Sequence, residues 1–238
     1  MSAPTPIPAA GTTAIKAVVF DLDGTLLDTA PDFIVVVNKL RQQEGLPAME
    51  AERIRNTVSH GARALITLAF DLQEGEDGFE PLRQRLLDLY LDHLAVESAL
   101  FDGIPQLLDY IRAQDIAWGI ATNKPERFTT PLLQALEIKA DCVICPDHVT
   151  HAKPHPESMH LAAQLLNCET SEIIYVGDHA RDIECGRQAN CPTIAAAYGY
   201  IDDNDDVEQW QATHRVDNAH QLLPIVKGYL ELNTETST

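Results

Sequence analysis

The stretch from Lys16 to Asp28, KAVVFDLDGTLLD, constrains this chain more than any other. Its apolar run Ala17–Phe20 leads directly into two acids one residue apart, Asp21 and Asp23, with Gly24 and Thr25 next. Alternate side chains of an extended strand share a face, so Asp21 and Asp23 point together while Leu22 points back. Gly24 then permits a turn that a side chain would obstruct. Two carboxylates at the end of a buried strand are costly unless something pairs with them, and a divalent cation is the obvious candidate. A surface acid pair is the plainer alternative in a chain with 36 Asp and Glu. Position opposes it, because the other acid pairs, Asp202 with Asp203 and Asp205 with Asp206, lie in a polar stretch.

Beyond Asp28 the chain has two rhythms. Thr29 and Pro31 mark a helix start, and Phe33, Val36, Val37 and Leu40 recur at helical spacing. From about Glu50 to Glu97 the patterns are helical, with no strand, and the acidic segment Glu74 to Gly78 breaks them. From Phe101 onward, strand-length apolar runs alternate with helical ones. The strands are expected at Ile116 to Ala121, Cys142 to Cys145, Ile173 to Val176 and Thr193 to Ala197, with another near Val216. Such alternation implies an α/β fold with a parallel sheet covered on both faces. The expected organisation is a flexible tail over 1–14, a core from 15–28 and 98–238, and an all-helical insertion over 29–97.

Charge narrows the function classes. Seventeen basic against 36 acidic residues give a net charge of -19. That surface repels phosphate backbones and anionic lipids, so neither nucleic acid nor membrane is an expected partner. Any anion site must be locally basic or metal-loaded. The five cysteines include a CxxC at Cys142 and Cys145, but the intervening Val143 and Ile144 read as a buried strand rather than a zinc or redox motif. The N-terminal MSAPTPIPAAGTT lacks the basic start and apolar core of a secretion signal, and the expected location is cytoplasmic.

Ligands of open parallel sheets bind beyond the carboxyl ends of the strands. The polar residues stand at those ends: Asp21 and Asp23, Thr122 and Asn123, Asp178, with Lys153 and Pro154 in the loop after the third strand. Each signal alone is weak. Four of them in order along one sheet are strong.

These residues resemble the four motifs of the haloacid dehalogenase superfamily of phosphohydrolases: Asp21-Leu22-Asp23-Gly24-Thr25, Thr122-Asn123, Lys153-Pro154, and Gly177-Asp178 with Asp182. The resemblance covers nearly the whole chain beyond the tail. It implies a Rossmann-like core, with the helical insertion in the place of the superfamily's C1 cap, closing over the site. It also implies Mg2+ held by Asp21, the Asp23 carbonyl and Asp178. Thr122, Asn123 and Lys153 would bind phosphate, Asp21 would attack phosphorus, and Asp23 would transfer protons. Asp182 would orient Lys153 or a metal-bound water; the alternative is an acid placed by the helix dipole. Thr25 stands where mutases of the superfamily often carry valine, which leans towards a phosphatase.

Specificity is expected from the cap, where relatives place a substrate-facing loop at Ser59, His60, Gly61, Ala62 and Arg63. Arg63 suits a substrate carboxylate by a bidentate contact; a solvated surface arginine is the alternative. His179 reads as a neutral, exposed imidazole. His148, His151, His155 and His160 lack the spacing of a transition-metal cluster. Trp118 reads as core, and Trp210 as packing down its acidic segment. The stretches VSHGARAL, ATNKPERF, ICPDHV, HARDIECGRQA and AAYGYI look most like one group of the superfamily, the bacterial N-acetylmuramic acid 6-phosphate phosphatases of cell-wall recycling. The phosphoglycolate phosphatases are the alternative. Both act on a small phosphorylated substrate bearing a carboxylate.

Overall fold

The computed structural model describes residues 14–202 and 205–235. The tail expected at 1–14 therefore lies, but for Ala14, outside the described residues. The chain opens with β1 (Ala17–Phe20) and β2 (Leu27–Asp28), then four helices: α1 (Ala30–Gln43), α2 (Ala51–Thr57), α3 (Gly61–Phe70) and α4 (Phe79–Asp92). After β3 (Ala99–Leu100) and α5 (Ile104–Ala113), strands and helices alternate as β4 (Ala117–Ala121), α6 (Glu126–Ala135), β5 (Cys142–Ile144) and α7 (Glu157–Leu165). The alternation continues through β6 (Ile173–Gly177), α8 (Ala180–Gln188) and β7 (Thr193–Ala196), and β8 (His214–Val216) and α9 (Leu222–Glu235) close it.

The main sheet has the order β5-β4-β1-β6-β7-β8, and every pairing in it is parallel. The α/β expectation holds. β1 lies inside the sheet, and its residues alternate between two cores. Val18 and Phe20 pack with Leu107 and Ile111 of α5, Leu132 of α6 and Val226 of α9. Ala17 and Val19 face Met159 and Ala162 of α7 and Cys185 of α8. Burial on both faces is why the strand reads as an unbroken apolar run. Trp118 is buried against Phe20, edge to face at 6.3 Å. Trp210 is buried too, its indole N–H donating to Asp205 at 2.8 Å. The five cysteines are free thiols, Cys142 and Cys145 both buried. Burial pushes the Cys142 thiol up to about 12, which suits a structural rather than a reactive cysteine.

Helices α1 to α4 share a core of their own, in which Phe33, Val37 and Leu40 meet Ile54, Leu65, Ile66 and Leu86. Phe33 stacks on Tyr90 at 4.1 Å. This layer is tied to the sheet where the chain leaves and re-enters it. β2 and β3 pair antiparallel there, a ribbon too short to show a period in sequence. The wholly buried Asp32 accepts from the Glu97 amide at 2.8 Å and the Ser98 hydroxyl at 2.5 Å. On the other side, Arg55 pairs with both oxygens of Asp28, and the Tyr200 hydroxyl donates to the same carboxylate. No helix among the described residues is long and apolar enough to cross a membrane.

Candidate active site

The carboxyl ends of β1, β4 and β6 converge on a buried charge cluster. Asp21 follows β1 directly, its amide bound to the Val176 carbonyl of β6 at 2.8 Å. Lys153 reaches the same point from the loop after β5. Its ammonium, 1% exposed, lies 2.8 Å from Asp21 Oδ1, 2.7 Å from Asp182 Oδ1, 2.8 Å from the Ala121 carbonyl and 3.0 Å from the Tyr175 hydroxyl. The Lys153 loop is held by Asn123, whose side chain accepts from the Lys153 amide at 3.2 Å and donates to its carbonyl at 3.1 Å. The Asn123 side chain thus ties the Lys153 loop to the end of β4. Thr122 is buried, its hydroxyl accepting from the Lys124 amide.

Asp178, at the end of β6, accepts from the Thr25 hydroxyl and the Tyr200 amide, each at 2.9 Å, and from Ser59 of the helical layer at 3.4 Å. Gly24 has φ +84, and a Cβ there would sit 2.1 Å from Asp178 Oδ2. The glycine after Asp23 is therefore required twice, by backbone conformation and by this approach. Asp182 plays both parts considered for it. One oxygen meets Lys153, and the other accepts from the His179 amide at 3.1 Å at the start of α8.

The electrostatics of this cluster suit a cation. Carboxylate oxygens of Asp21, Asp178 and Asp182 lie within 4.8 Å of one another, and Lys153 meets two of the three, Asp21 and Asp182. Burial, only partly offset by Lys153, raises the Asp21 carboxyl to about 6. Burial and the neighbouring Asp21 and Asp182 charges push Asp178 well above the carboxylate range. Burial pulls Lys153 down, but Asp182 and Asp21 outweigh it and the ammonium stays charged. Buried hard oxygen donors with surplus negative charge fit a hard divalent cation.

Asp23 has a partner that its motif does not reveal. Lys124, buried, donates to Asp23 Oδ1 at 2.9 Å, and Thr29 donates to the same oxygen at 2.5 Å. The Lys124 ammonium also sits 4.6 Å from the Tyr90 ring centroid and 5.2 Å from that of Phe33, both contributed by the helical layer. Burial lowers its pKa, yet Asp23 and Tyr90 together leave it raised. The available signal was its place directly after Thr122 and Asn123 at a strand end. Its partner, 101 residues upstream, was not visible.

A cavity of about 380 Å³ joins Asp21, Asp23 and Thr122 to the helical layer. Its apolar wall includes Phe33, Val58, Leu87, Tyr90 and Phe128. His60, Gly61 and Arg63 line it as well, and the exposed Arg63 guanidinium pairs with Glu74 and Glu80. Arg181, absent from the expected site, lines the cavity and donates to the Ser59 carbonyl, with its Nε buried and unpartnered. His179 is half-buried rather than exposed, its ring against His60 at 5.4 Å. Burial and then Arg181 lower it to about 4, so it is neutral. Of the four histidines near Lys153, the structure brings two together, His151 and His155, beside Glu157 on the exposed side of the loop.

The haloacid dehalogenase-like hydrolase model matches residues 18–196, well over half of the chain. The chain belongs to the haloacid dehalogenase-like hydrolase family. Among relatives of this hydrolase, the N-acetylmuramic acid 6-phosphate phosphatase of Pseudomonas aeruginosa is 45% identical over 214 residues, 89% of this chain and 95% of that one. The phosphoglycolate phosphatase of Xanthomonas campestris is 37% identical over 209 residues, 87% of this chain and 94% of that one. A crystal structure of a predicted phosphoglycolate phosphatase from Haemophilus somnus superposes with a TM-score of 0.79 at 26% identity, covering 91% of this hydrolase and all of that chain. The enzyme is accordingly a phosphatase in class.

Proposed function

We propose that this hydrolase cleaves a phosphomonoester by transfer of the phosphoryl group to Asp21, and that its substrate is N-acetylmuramic acid 6-phosphate. The cavity is the observation that carries the substrate. Ligand pockets of roughly 300–1,000 Å³ suit ligands far larger than a two-carbon acid. At about 380 Å³, with an apolar wall, this one has room for a pyranose bearing an acetamide and a lactyl ether. 2-Phosphoglycolate would leave most of it empty. The relative of 45% identity carries the same preference in its name, and a role in peptidoglycan recycling goes with that substrate.

Asp21, Asp178 and the Asp23 carbonyl would hold Mg2+, which supplies neutralising charge to the phosphoryl oxygens when bound. Lys153 adds a second positive charge beside Asp21 and engages Oδ1, so Oδ2 is left for attack. Attack forms the Asp21–phosphorus bond and breaks the ester bond, and the leaving alkoxide takes a proton from Asp23. The geometry around Asp23 suits this exchange, because Lys124 and Thr29 both anchor Oδ1 and leave Oδ2 for the proton. Water then gives its proton to Asp23 and attacks phosphorus, releasing phosphate and regenerating Asp21. Residues 29–97 act as a cap on the core of 15–28 and 98–238, tied to it by the Asp28, Asp32 and Tyr200 contacts.

The metal is testable directly. Phosphate release from N-acetylmuramic acid 6-phosphate should vanish in excess EDTA and return on adding Mg2+. Equal rates with and without chelator contradict the proposed metal role.

A further inference from the structure

We propose that Arg127 recognises the carboxylate of the substrate and so sets specificity for phosphorylated acids over their neutral analogues. The inference rests on the proposed function, in which the substrate carries both groups. Among the described residues, the cavity is lined by Lys124 and by the arginines Arg63, Arg83, Arg127 and Arg181. Four of these have oxygen partners within the protein. Lys124 meets Asp23, Arg63 meets Glu74 and Glu80, Arg83 meets Glu80 at 2.7 Å, and Arg181 donates to the Ser59 carbonyl. Arg127 has no carboxylate partner among the described residues. Its neighbour Glu126 lies beside His148, at 3.4 Å.

Arg127 is exposed, and its guanidinium rests over an aromatic ring. Its guanidinium carbon lies 4.5 Å from the centroid of the Phe128 ring. Phe128 is itself buried and 5.9 Å from Tyr90. A guanidinium lying over a ring keeps its edge donors for a carboxylate. Arg127 stands in the first turn of α6, directly after the Thr122-Asn123-Lys124-Pro125 loop. Thr122 and Asn123, offered to phosphate, and Arg127, offered to carboxylate, thus belong to one continuous segment of chain that lines the cavity. On a chain of net charge -19, an arginine with no acid partner at a cavity is a local attractor for an anionic group.

The test compares N-acetylmuramic acid 6-phosphate with N-acetylglucosamine 6-phosphate, the same phosphorylated sugar without the lactyl carboxylate, on wild type, Arg127→Gln, Arg127→Lys and Arg63→Gln. Wild type is expected to favour the acid. In Arg127→Gln the acid-to-neutral ratio of kcat/KM should fall on the order of tenfold or more, through KM, as expected for loss of a charged hydrogen-bonding partner. Arg127→Lys should recover part of the ratio, having charge without the fork. Arg63→Gln should keep it. The rate on the neutral sugar monitors folding within the same assay. A ratio preserved in Arg127→Gln, or lost instead in Arg63→Gln, overturns the role of Arg127 alone. A wild type without preference for the acid overturns the proposed substrate itself, and the inference with it.

Discussion

Asp21→Asn is expected to lower the rate of phosphate release by at least about 10⁴-fold, the scale seen when a covalent nucleophile is removed. The amide is nearly isosteric with the carboxylate but is a poor nucleophile towards phosphorus, and it weakens one ligand of the proposed metal. Stability should not fall with activity. Burial already holds the Asp21 carboxyl up at about 6, so it is ionised at neutral pH only against a desolvation penalty. Replacing it with a neutral group removes one of three clustered acids, and Lys153 retains Asp182 at 2.7 Å. The metal-free variant should therefore melt at or above the wild-type temperature. Single-turnover phosphate release beside a thermal melt checks both halves. A variant that turns over near the wild-type rate removes Asp21 from the reaction.

Lys153→Met is expected to damage both fold and function. Lys153 is the ammonium closest to Asp21 and Asp182, it is wholly buried, and it also reaches Ala121 and Tyr175. Methionine fills similar space without charge, leaving buried acids uncompensated. Breaking a buried pair from one side costs about 3–5 kcal/mol, which for a chain of this size lowers Tm by roughly 6–20 °C. Mg2+ should restore part of that loss, because a bound cation replaces some of the missing charge and ligands that bind only the native state stabilise it. Differential scanning calorimetry with and without Mg2+ measures this. A melting temperature unchanged in metal-free buffer contradicts the charge balance described for the cluster.

The sequence shows the architecture where its signals are local. β1, β4 and β6 are apolar runs punctuated by Asp21, Thr122 and Asp178, and those punctuations mark strand ends whatever the strand order. The order β5-β4-β1-β6-β7-β8 is set by packing between distant segments and leaves no local trace. The β2–β3 ribbon is missed because two residues have no period. At the site, the motif residues stand out because each interrupts an apolar strand. Lys124 does not, since its meaning comes from Asp23, Phe33 and Tyr90, none of them near it in sequence. Arg63 lies in the expected cap loop and lines the cavity; its pairing with Glu74 and Glu80 depends on how α3 folds against α4 and leaves no local trace. Arg127 stands beside a motif without belonging to it, and only the pairing of its neighbours sets it apart.

The most direct measurement is kcat/KM of the purified enzyme, in Mg2+, for N-acetylmuramic acid 6-phosphate and for 2-phosphoglycolate. A cavity of about 380 Å³ with an apolar wall predicts a preference for the muramic sugar of at least about tenfold, worth ~1.4 kcal/mol of transition-state stabilisation. A preference for 2-phosphoglycolate would contradict it.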